Sequence, residues 1–226
     1  YKQWVDEPFF PSYAKIESAR DAYKSVLSDV GANQPMLDGH DLRMVEETLN
    51  GSYHYVGSRS GHYGLIDSEQ DCGGYEDYGC EVRPATFDTD RDGLPDWWEQ
   101  LLGTNPNSVQ GDFSESNADP DSDGFTQLED YLNWLADTHY IIGTENCQIV
   151  SLPSLFAGYT ASPEYKAEVV SGTAIVTVSD GHLYIKAGSC GLTTIDITVK
   201  DGEGSSMTRR INVAVISDIQ TSIRKE

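Results

Sequence analysis

The spacing of apolar positions changes character along the chain, and the changes divide it. Trp4, Phe9 and Phe10 lie in a Pro-punctuated stretch over residues 1–11 that reads as an extended arm lying on something. Ile16, Ala19, Tyr23, Val26, Leu27 and Val30 then recur at helical spacing, with Ser18 and Asp21 as a capping-box-like start and Gly31 as a stop. A second short helix is predicted over about residues 39–49, capped by Asp38 and ended by Gly51. Residues 51–80 are rich in Gly, Ser, Tyr and His and show no helical period. Two short helices and a tyrosine-rich loop make a thin core. Residues 1–80 are therefore expected to be a helical and loop extension completed by a partner surface.

Residues 81–140 hold two acidic loops, each running into a helix. Trp97, Trp98, Leu101 and Leu102 follow the first, ended by Gly103; Leu128, Tyr131, Leu132 and Leu135 follow the second on one apolar face. From about residue 145 to 217 the helical period gives way to alternation: Ala174, Val176, Val178; Leu183, Ile185; Ile195, Ile197, Val199; Ile211, Val213, Val215. Turn formers separate these runs, as in Ser179-Asp180-Gly181 and Asp201-Gly202-Glu203-Gly204. Short strands at such intervals argue an immunoglobulin-like β-sandwich, with residues 218–226 as a polar, flexible tail. The expected fold is α+β and multidomain: a small helical region with paired EF-hand-like calcium loops, then an all-β sandwich.

The first loop, residues 88–99, places acids at positions 1, 3, 5, 9 and 12 (Asp88, Asp90, Asp92, Asp96, Glu99) and glycine at position 6 (Gly93). That is the EF-hand calcium pattern. Calcium takes six to eight oxygens at roughly 2.3–2.6 Å. Alternate residues of a tight loop point inward, so the three aspartates each offer a carboxylate and the Leu94 carbonyl adds an oxygen. Glu99, one turn into the helix, closes the shell, and Pro95 suits the helix start, where a missing N–H is harmless. The second loop, residues 119–130, repeats the aspartates (Asp119, Asp121, Asp123) and Gly124, with the Phe125 carbonyl, Gln127 at position 9 and Asp130 at position 12. Asp130 reaches less far than a glutamate, and Glu129, one residue off the expected face, is the alternative ligand. Acidic runs are also common as plain solvated turns; two loops of one pattern, each leading into an amphipathic helix, favour the metal.

The chain has 226 residues, 38% hydrophobic and 10% aromatic, enough for real cores. No apolar run approaches the roughly 18 residues of a membrane span. A formal net charge of -22 disfavours nucleic acid and anionic lipid as partners. The opening at Tyr1, without Met or a basic-then-apolar leader, points to a removed leader or a piece of a longer polypeptide. Four cysteines with no CxxC pair suit structural disulfides in an oxidising, extracytoplasmic setting, and proximity pairs Cys72 with Cys80 and Cys147 with Cys190. A zinc site from His54, His62, Cys72 and Cys80 is the rival, though its spacings match no common zinc module. Tyr53, Tyr55, Tyr63, Tyr75 and Tyr78 serve either to dock on another domain or to stack on sugars. The histidines are scattered, no nucleophile motif such as GxSxG appears, and no catalytic residue is assigned.

The paired loops, with no helix of their own ahead of each, resemble dockerins more than a calmodulin pair. The flanks bring a closer resemblance. Ile16-Glu17-Ser18-Ala19-Arg20-Asp21-Ala22-Tyr23, Val26-Leu27, Val30-Gly31-Ala32, Asp38, Asp41, Arg43, Gly64-Leu65-Ile66-Asp67-Ser68 and Gly73-Gly74-Tyr75 resemble the segment that follows the β-helix in secreted bacterial pectate lyases. So do Leu94-Pro95-Asp96-Trp97-Trp98-Glu99, Gly124-Phe125-Thr126, Leu128-Glu129-Asp130-Tyr131-Leu132-Asn133 and Phe156-Ala157-Gly158-Tyr159-Thr160. The resemblance implies a non-catalytic, calcium-binding C-terminal region of a secreted, periplasmic or cell-surface polysaccharide lyase. It implies a β-helix catalytic domain as the preceding partner, a plant polysaccharide as a further one, and a monomer. Cys72 takes a position usually apolar in that family, consistent with a local disulfide peculiar to this chain. A dockerin-like protein-binding module and a carbohydrate-binding module are the alternatives.

Overall fold

The alternating stretch folds as two facing sheets. The computed structural model of the chain describes residues 16–33, 37–77 and 82–217. Seven strands are present among them: β1 (Thr138–Gly143), β2 (Cys147–Ser151), β3 (Glu164–Ser171), β4 (Ile175–Ser179), β5 (His182–Lys186), β6 (Gly191–Lys200) and β7 (Ser206–Ile216). One sheet has the order β1-β7-β6-β3, the other β2-β5-β4. All pairings are antiparallel except β1 with β7, which run parallel with Thr138 opposite Ile211. Period-two alternation turns Ile195, Ile197, Val199, Ile211, Val213 and Val215 inward, against Val150, Leu183 and Ile185 of the other sheet. Burying each such side chain contributes about 1.5–3 kcal/mol, so this apolar interior dominates the stability of the sandwich. The one-turn helix α5 (Leu152–Leu155) and Phe156 after it close one end, Leu152 and Phe156 being almost wholly buried.

The sequence pattern anticipates β4 to β7. It does not anticipate β1, β2, β3 or α5, and β1 straddles the boundary drawn between residues 140 and 145. The outer face of β6 and β7 is also covered. Helices α3 (Asp96–Leu102) and α4 (Gln127–Ala136) pack there, burying Leu94, Trp98, Tyr131 and Trp134 with Ala214 and, at the margin, Leu192 and Ile141. The acidic-loop region and the sandwich thus share one apolar seam.

The two helices ahead of the loops form as their caps dictate. α1 (Ala19–Ser28) starts where Ser18 Oγ accepts from Asp21 N at 3.1 Å, and it ends at the Asp29 cap, two residues before Gly31. α2 (Gly39–Asn50) starts where Asp38 Oδ1 accepts from Asp41 N at 2.8 Å and ends at Gly51, whose φ of 58° is left-handed. One face of α1 is clamped to the sandwich. Lys24, 5% exposed, donates to Asp201, to Glu203 Oε2 at 2.8 Å and to Ser205 Oγ at 3.1 Å, all in the β6–β7 turn region. Burial pulls the Lys24 ammonium down, but Asp201 and Glu203 outweigh it and hold its pKa above the usual lysine range. Arg209 of β7 donates to Ser28 O, Leu155 O and Asp29 Oδ1. A Cβ on Gly158 would lie 2.6 Å from Lys24 Cα, so only glycine permits this approach. The clamp qualifies the expectation that residues 1–80 need a body outside the chain: α1 docks on the sandwich. The outer side of α1 leaves Ile16, Tyr23, Val26 and Val30 exposed.

Among the described residues no disulfide forms. Cys147, at the start of β2, and Cys190, just before β6, are exposed free thiols. Cys72 is a buried free thiol whose Sγ donates to Glu69 O at 3.2 Å. Hydrogen bonding and burial account for Cys72, and the sandwich is closed by its apolar interior. Cys80, Tyr78, and the arm with Trp4, Phe9 and Phe10 lie outside the described residues, as does the tail at 218–226.

Candidate metal centre

Both acidic loops wind the same way. Position 4 is left-handed in each (Arg91, φ 61°; Ser122, φ 60°), and position 6 is a glycine at φ 100° (Gly93, Gly124). A side chain at position 6 would be strained whatever space it had, which explains the glycines. Three hydrogen bonds repeat between the loops. Gly93 N donates to Asp88 Oδ2 at 3.2 Å, as Gly124 N does to Asp119 Oδ2 at 3.1 Å. Leu94 N donates to Asp92 Oδ1 at 2.8 Å, as Phe125 N does to Asp123 Oδ1 at 2.9 Å. Asp96 N donates to Phe87 O, and Gln127 N to Ala118 O, both at 2.9 Å. Each winding gathers its three aspartates: Asp88, Asp90 and Asp92 present oxygens within 4.8 Å of one another, and so do Asp119, Asp121 and Asp123.

The environments differ. In the first loop Asp90 and Asp92 are 2% exposed and Glu99 0%. Asp88 Oδ1, Asp90 Oδ1 and both oxygens of Glu99 are buried without a hydrogen-bond partner. Burial first, then the charges of Asp90, Asp92, Asp96 and Glu115, push the Glu99 carboxyl up to about 8. Burial and the neighbouring Asp90 and Asp88 also raise Asp92. Several carboxylates enclosed together, with oxygens left over, call for protons, water or a cation to offset the enclosure. The oxygen spacing and the all-oxygen donor set fit a hard divalent cation.

In the second loop the triad is exposed. Asp130 lies half-buried one turn into α4, its carboxyl raised by burial and by Asp123, Asp121 and Asp119. The Glu129 carboxylate instead accepts from Thr126 N at 2.8 Å in a capping box, which lowers its pKa. Position 9 serves the loop's own geometry in both copies. Asp96 accepts from Thr89 N at 2.8 Å and Thr89 Oγ1 at 2.7 Å, and Gln127 Nε2 donates to Glu115 O at 2.9 Å.

The first loop is buried because the segment between the loops folds back over it, which the loop pattern did not reveal. Ser108 N donates to Asp90 Oδ2 at 3.0 Å, Gly111 N to Asp90 O at 3.0 Å, and Leu128 N to Ser116 O at 3.0 Å. Ser116, with no exposed surface, also bonds the Asp92 carboxylate. Its signal in the sequence is nil, being one serine in a polar stretch. Behind the loop stand aromatic rings: Trp98 lies 5.2 Å from Tyr131 and 5.6 Å from Trp134, centre to centre. Among the described residues the two aspartate triads are the clusters able to hold a metal ion, and no zinc site forms around His54, His62 and Cys72.

No helix among the described residues is long and apolar enough to cross a membrane. No family model matches the chain. Solved structures similar in part include Listeria monocytogenes InlP (19% identity, 34% of this chain and 26% of that one, TM-score 0.26) and the PKD domain of KIAA 1837 protein (14%, 37% and 83%, TM-score 0.27). Three curated relatives are fungal, where the sequence resemblance pointed to bacterial enzymes. The probable pectate lyase C of Aspergillus flavus and that of Aspergillus oryzae are each 34% identical over 131 residues, 58% of this chain. That of Emericella nidulans is 33% identical over 138 residues, 61% of this chain. The chain spans between 27% and 29% of the length of these relatives. Over more than half its length, then, this chain is related to part of proteins named probable pectate lyase C.

Proposed function

We infer that the chain is a calcium-binding, non-catalytic accessory region of a secreted polysaccharide lyase of the pectate type. Two EF-hand-like loops take one Ca2+ each: Asp88, Asp90, Asp92, Glu99 and the Leu94 carbonyl in the first, Asp119, Asp121, Asp123, Asp130 and the Phe125 carbonyl in the second. Asp96 and Gln127, counted as ligands from the spacing, also brace the loops through Thr89 and Glu115. The observation that carries this reading is Glu99, fully enclosed with two unpartnered oxygens beside Asp90. Calcium supplies the positive charge that offsets this enclosure. It thereby fixes α3 against α4 and both against the sandwich.

The relatives' name supports a lyase as the parent protein, and the immunoglobulin-like sandwich is its spacer or adhesion unit. The loop acids serve the cation, which argues a structural role rather than proton transfer. The exposed outer side of α1 (Ile16, Tyr23, Val26, Val30) is the surface for the β-helix domain of the parent. Tryptophan emission tests the metal part directly, because Trp97, Trp98 and Trp134 pack behind the first loop. Calcium added to chelator-stripped protein shifts the emission, and Glu99→Gln suppresses the change. Unaltered emission across millimolar calcium defeats the reading.

A further inference from the structure

The tyrosine-rich segment after α2 carries groups that the calcium loops do not use. A cleft of about 500 Å³ opens there, lined by Arg43, Met44, Glu47, Ser52, Gly64 and Ile66 among others. Its polar side is a fixed donor–acceptor pair. Arg43 Nη1 donates to Glu47 Oε2 at 3.1 Å, and Arg43 Nε is buried with no partner. Glu47 Oε1 accepts from His54 N at 2.8 Å and lies 3.1 Å from His54 Nδ1. Burial raises the Glu47 carboxyl, but these bonds and Arg43 outweigh it, so it stays ionised.

The rim is aromatic. A Cβ on Gly64, which lines the cleft, would lie 3.4 Å from Tyr53 Cβ, and the Tyr53 ring stacks on that of Tyr63 at 5.0 Å and 26°. Tyr63 is 70% exposed, which leaves its outer face open to solvent. The loop is nonetheless held by its own hydrogen bonds. Asp67 Oδ2 accepts from Arg59 N at 2.8 Å and Ser60 N at 2.7 Å, Asp71 Oδ2 accepts from Ser58 N at 3.1 Å and Asp67 N at 2.8 Å, and Gly64 N donates to Tyr55 O at 3.0 Å. A surface loop ordered by internal hydrogen bonds loses little further freedom on binding.

An open aromatic face beside a buried donor and an ionised acceptor matches the two sides of a pyranose or furanose ring. The C–H face lies on Tyr63, and hydroxyls meet the Arg43 guanidinium and the Glu47 carboxylate that line the cleft. Charge selects among sugars. A uronate would meet Glu47 within the cleft and a chain of net charge -22 around it; a neutral sugar meets no such repulsion. We propose that this cleft binds neutral sugar units of a polysaccharide. The site is independent of the calcium loops.

Affinity electrophoresis of the whole chain through gels holding soluble galactan, arabinan, xylan or mixed-linkage glucan tests it, with polygalacturonate in chelator as the charged comparison. The native chain and Tyr63→Phe are retarded by at least one neutral polymer, Tyr63→Ala and Arg43→Lys at least tenfold less, and polygalacturonate retards none of them. Circular dichroism confirms that the variants fold; Tyr63, being mostly exposed, is a position where Ala leaves the fold intact. Retardation by none of the neutral polymers, by polygalacturonate instead, or undiminished in a folded Tyr63→Ala overturns the proposal.

Discussion

Glu99→Gln reverses its effect on stability according to whether calcium is present. In the unfolded chain at pH 7 Glu99 is ionised, whereas in the calcium-free fold its carboxyl, pushed to about 8 from an ordinary 4.5, takes up a proton. The fold binds the extra proton, so Glu99 weakens the calcium-free protein progressively as pH rises from about 4.5 to about 8. At pH 7 the pull between those values corresponds to about 3 kcal/mol, at roughly 1.4 kcal/mol per pH unit. Glutamine has nearly the same shape and no charge, so in chelator it raises stability by up to that amount, or about 6–12 °C in melting temperature for a chain of this size. With calcium the outcome inverts. A saturated site at free calcium near 100 times its dissociation constant contributes about 2.7 kcal/mol, and Gln, with one neutral oxygen to offer, forfeits most of it. Differential scanning calorimetry of both proteins, each in chelator and in calcium, measures the four midpoints. A Gln variant no more stable than the native chain in chelator, or equally stabilised by calcium, refutes the reasoning.

Other consequences are simpler to check. Lys24→Met leaves Asp201 buried beside Ser205 without its cation and lowers stability by on the order of 2–3 kcal/mol, less than the roughly 3–5 of a fully enclosed pair because the Glu203 side chain remains 43% exposed; urea denaturation measures it. Gly158→Ala frees α1 from the sandwich by steric clash with Lys24, and hydrogen exchange reports it as faster exchange in residues 19–28 than in β6. Hydrogen bonds from Ser58 and Asp67 hold the Asp71 carboxyl at about 2, so the order it gives the 57–71 loop is complete above the ordinary value near 3.8 and is lost as pH falls through about 2. Amide NMR of Ser58 follows that transition. The purified chain, incubated with pectate and calcium, yields no rise in ultraviolet absorbance from unsaturated products, and a rise abolished by a substitution in this chain contradicts the non-catalytic reading.

Much of this was legible in the sequence because the signals are local. Asp38 and Gly51 bracket α2, and Gly93 and Gly124 mark the two windings, since a cap or a left-handed turn is decided within a few residues. The period-two runs of β4 to β7 announce themselves because alternate residues are buried. β3 hides by comparison: Tyr165, Ala167 and Val169 alternate, but at a sheet edge they are only half-buried and stand among Glu164, Lys166 and Glu168. β1 carries no alternation, and its parallel partner β7 lies far along the chain. The clamp of α1 joins Lys24 to Asp201 across the length of the molecule, and no local pattern reports such a pair. At the acidic loops the gathering of the two aspartate triads was legible and the burial of the first was not, because Ser108 and Gly111 cover it through backbone N–H groups. The bracing of position 9 was hidden for a related reason: only the folded loop reveals that Thr89 and Glu115 engage Asp96 and Gln127.

The central claim is that two loops of one geometry and unequal burial each hold a calcium ion. Isothermal titration of the chelator-stripped chain with calcium tests it most directly, with dissociation constants expected within about 10⁻⁷ to 10⁻³ M and magnesium binding far more weakly. The account predicts two sites, of which Glu99→Gln removes or greatly weakens the one at residues 88–99 and Asp130→Asn the one at 119–130. No heat on titration, together with a melting temperature that chelator leaves unchanged, contradicts it.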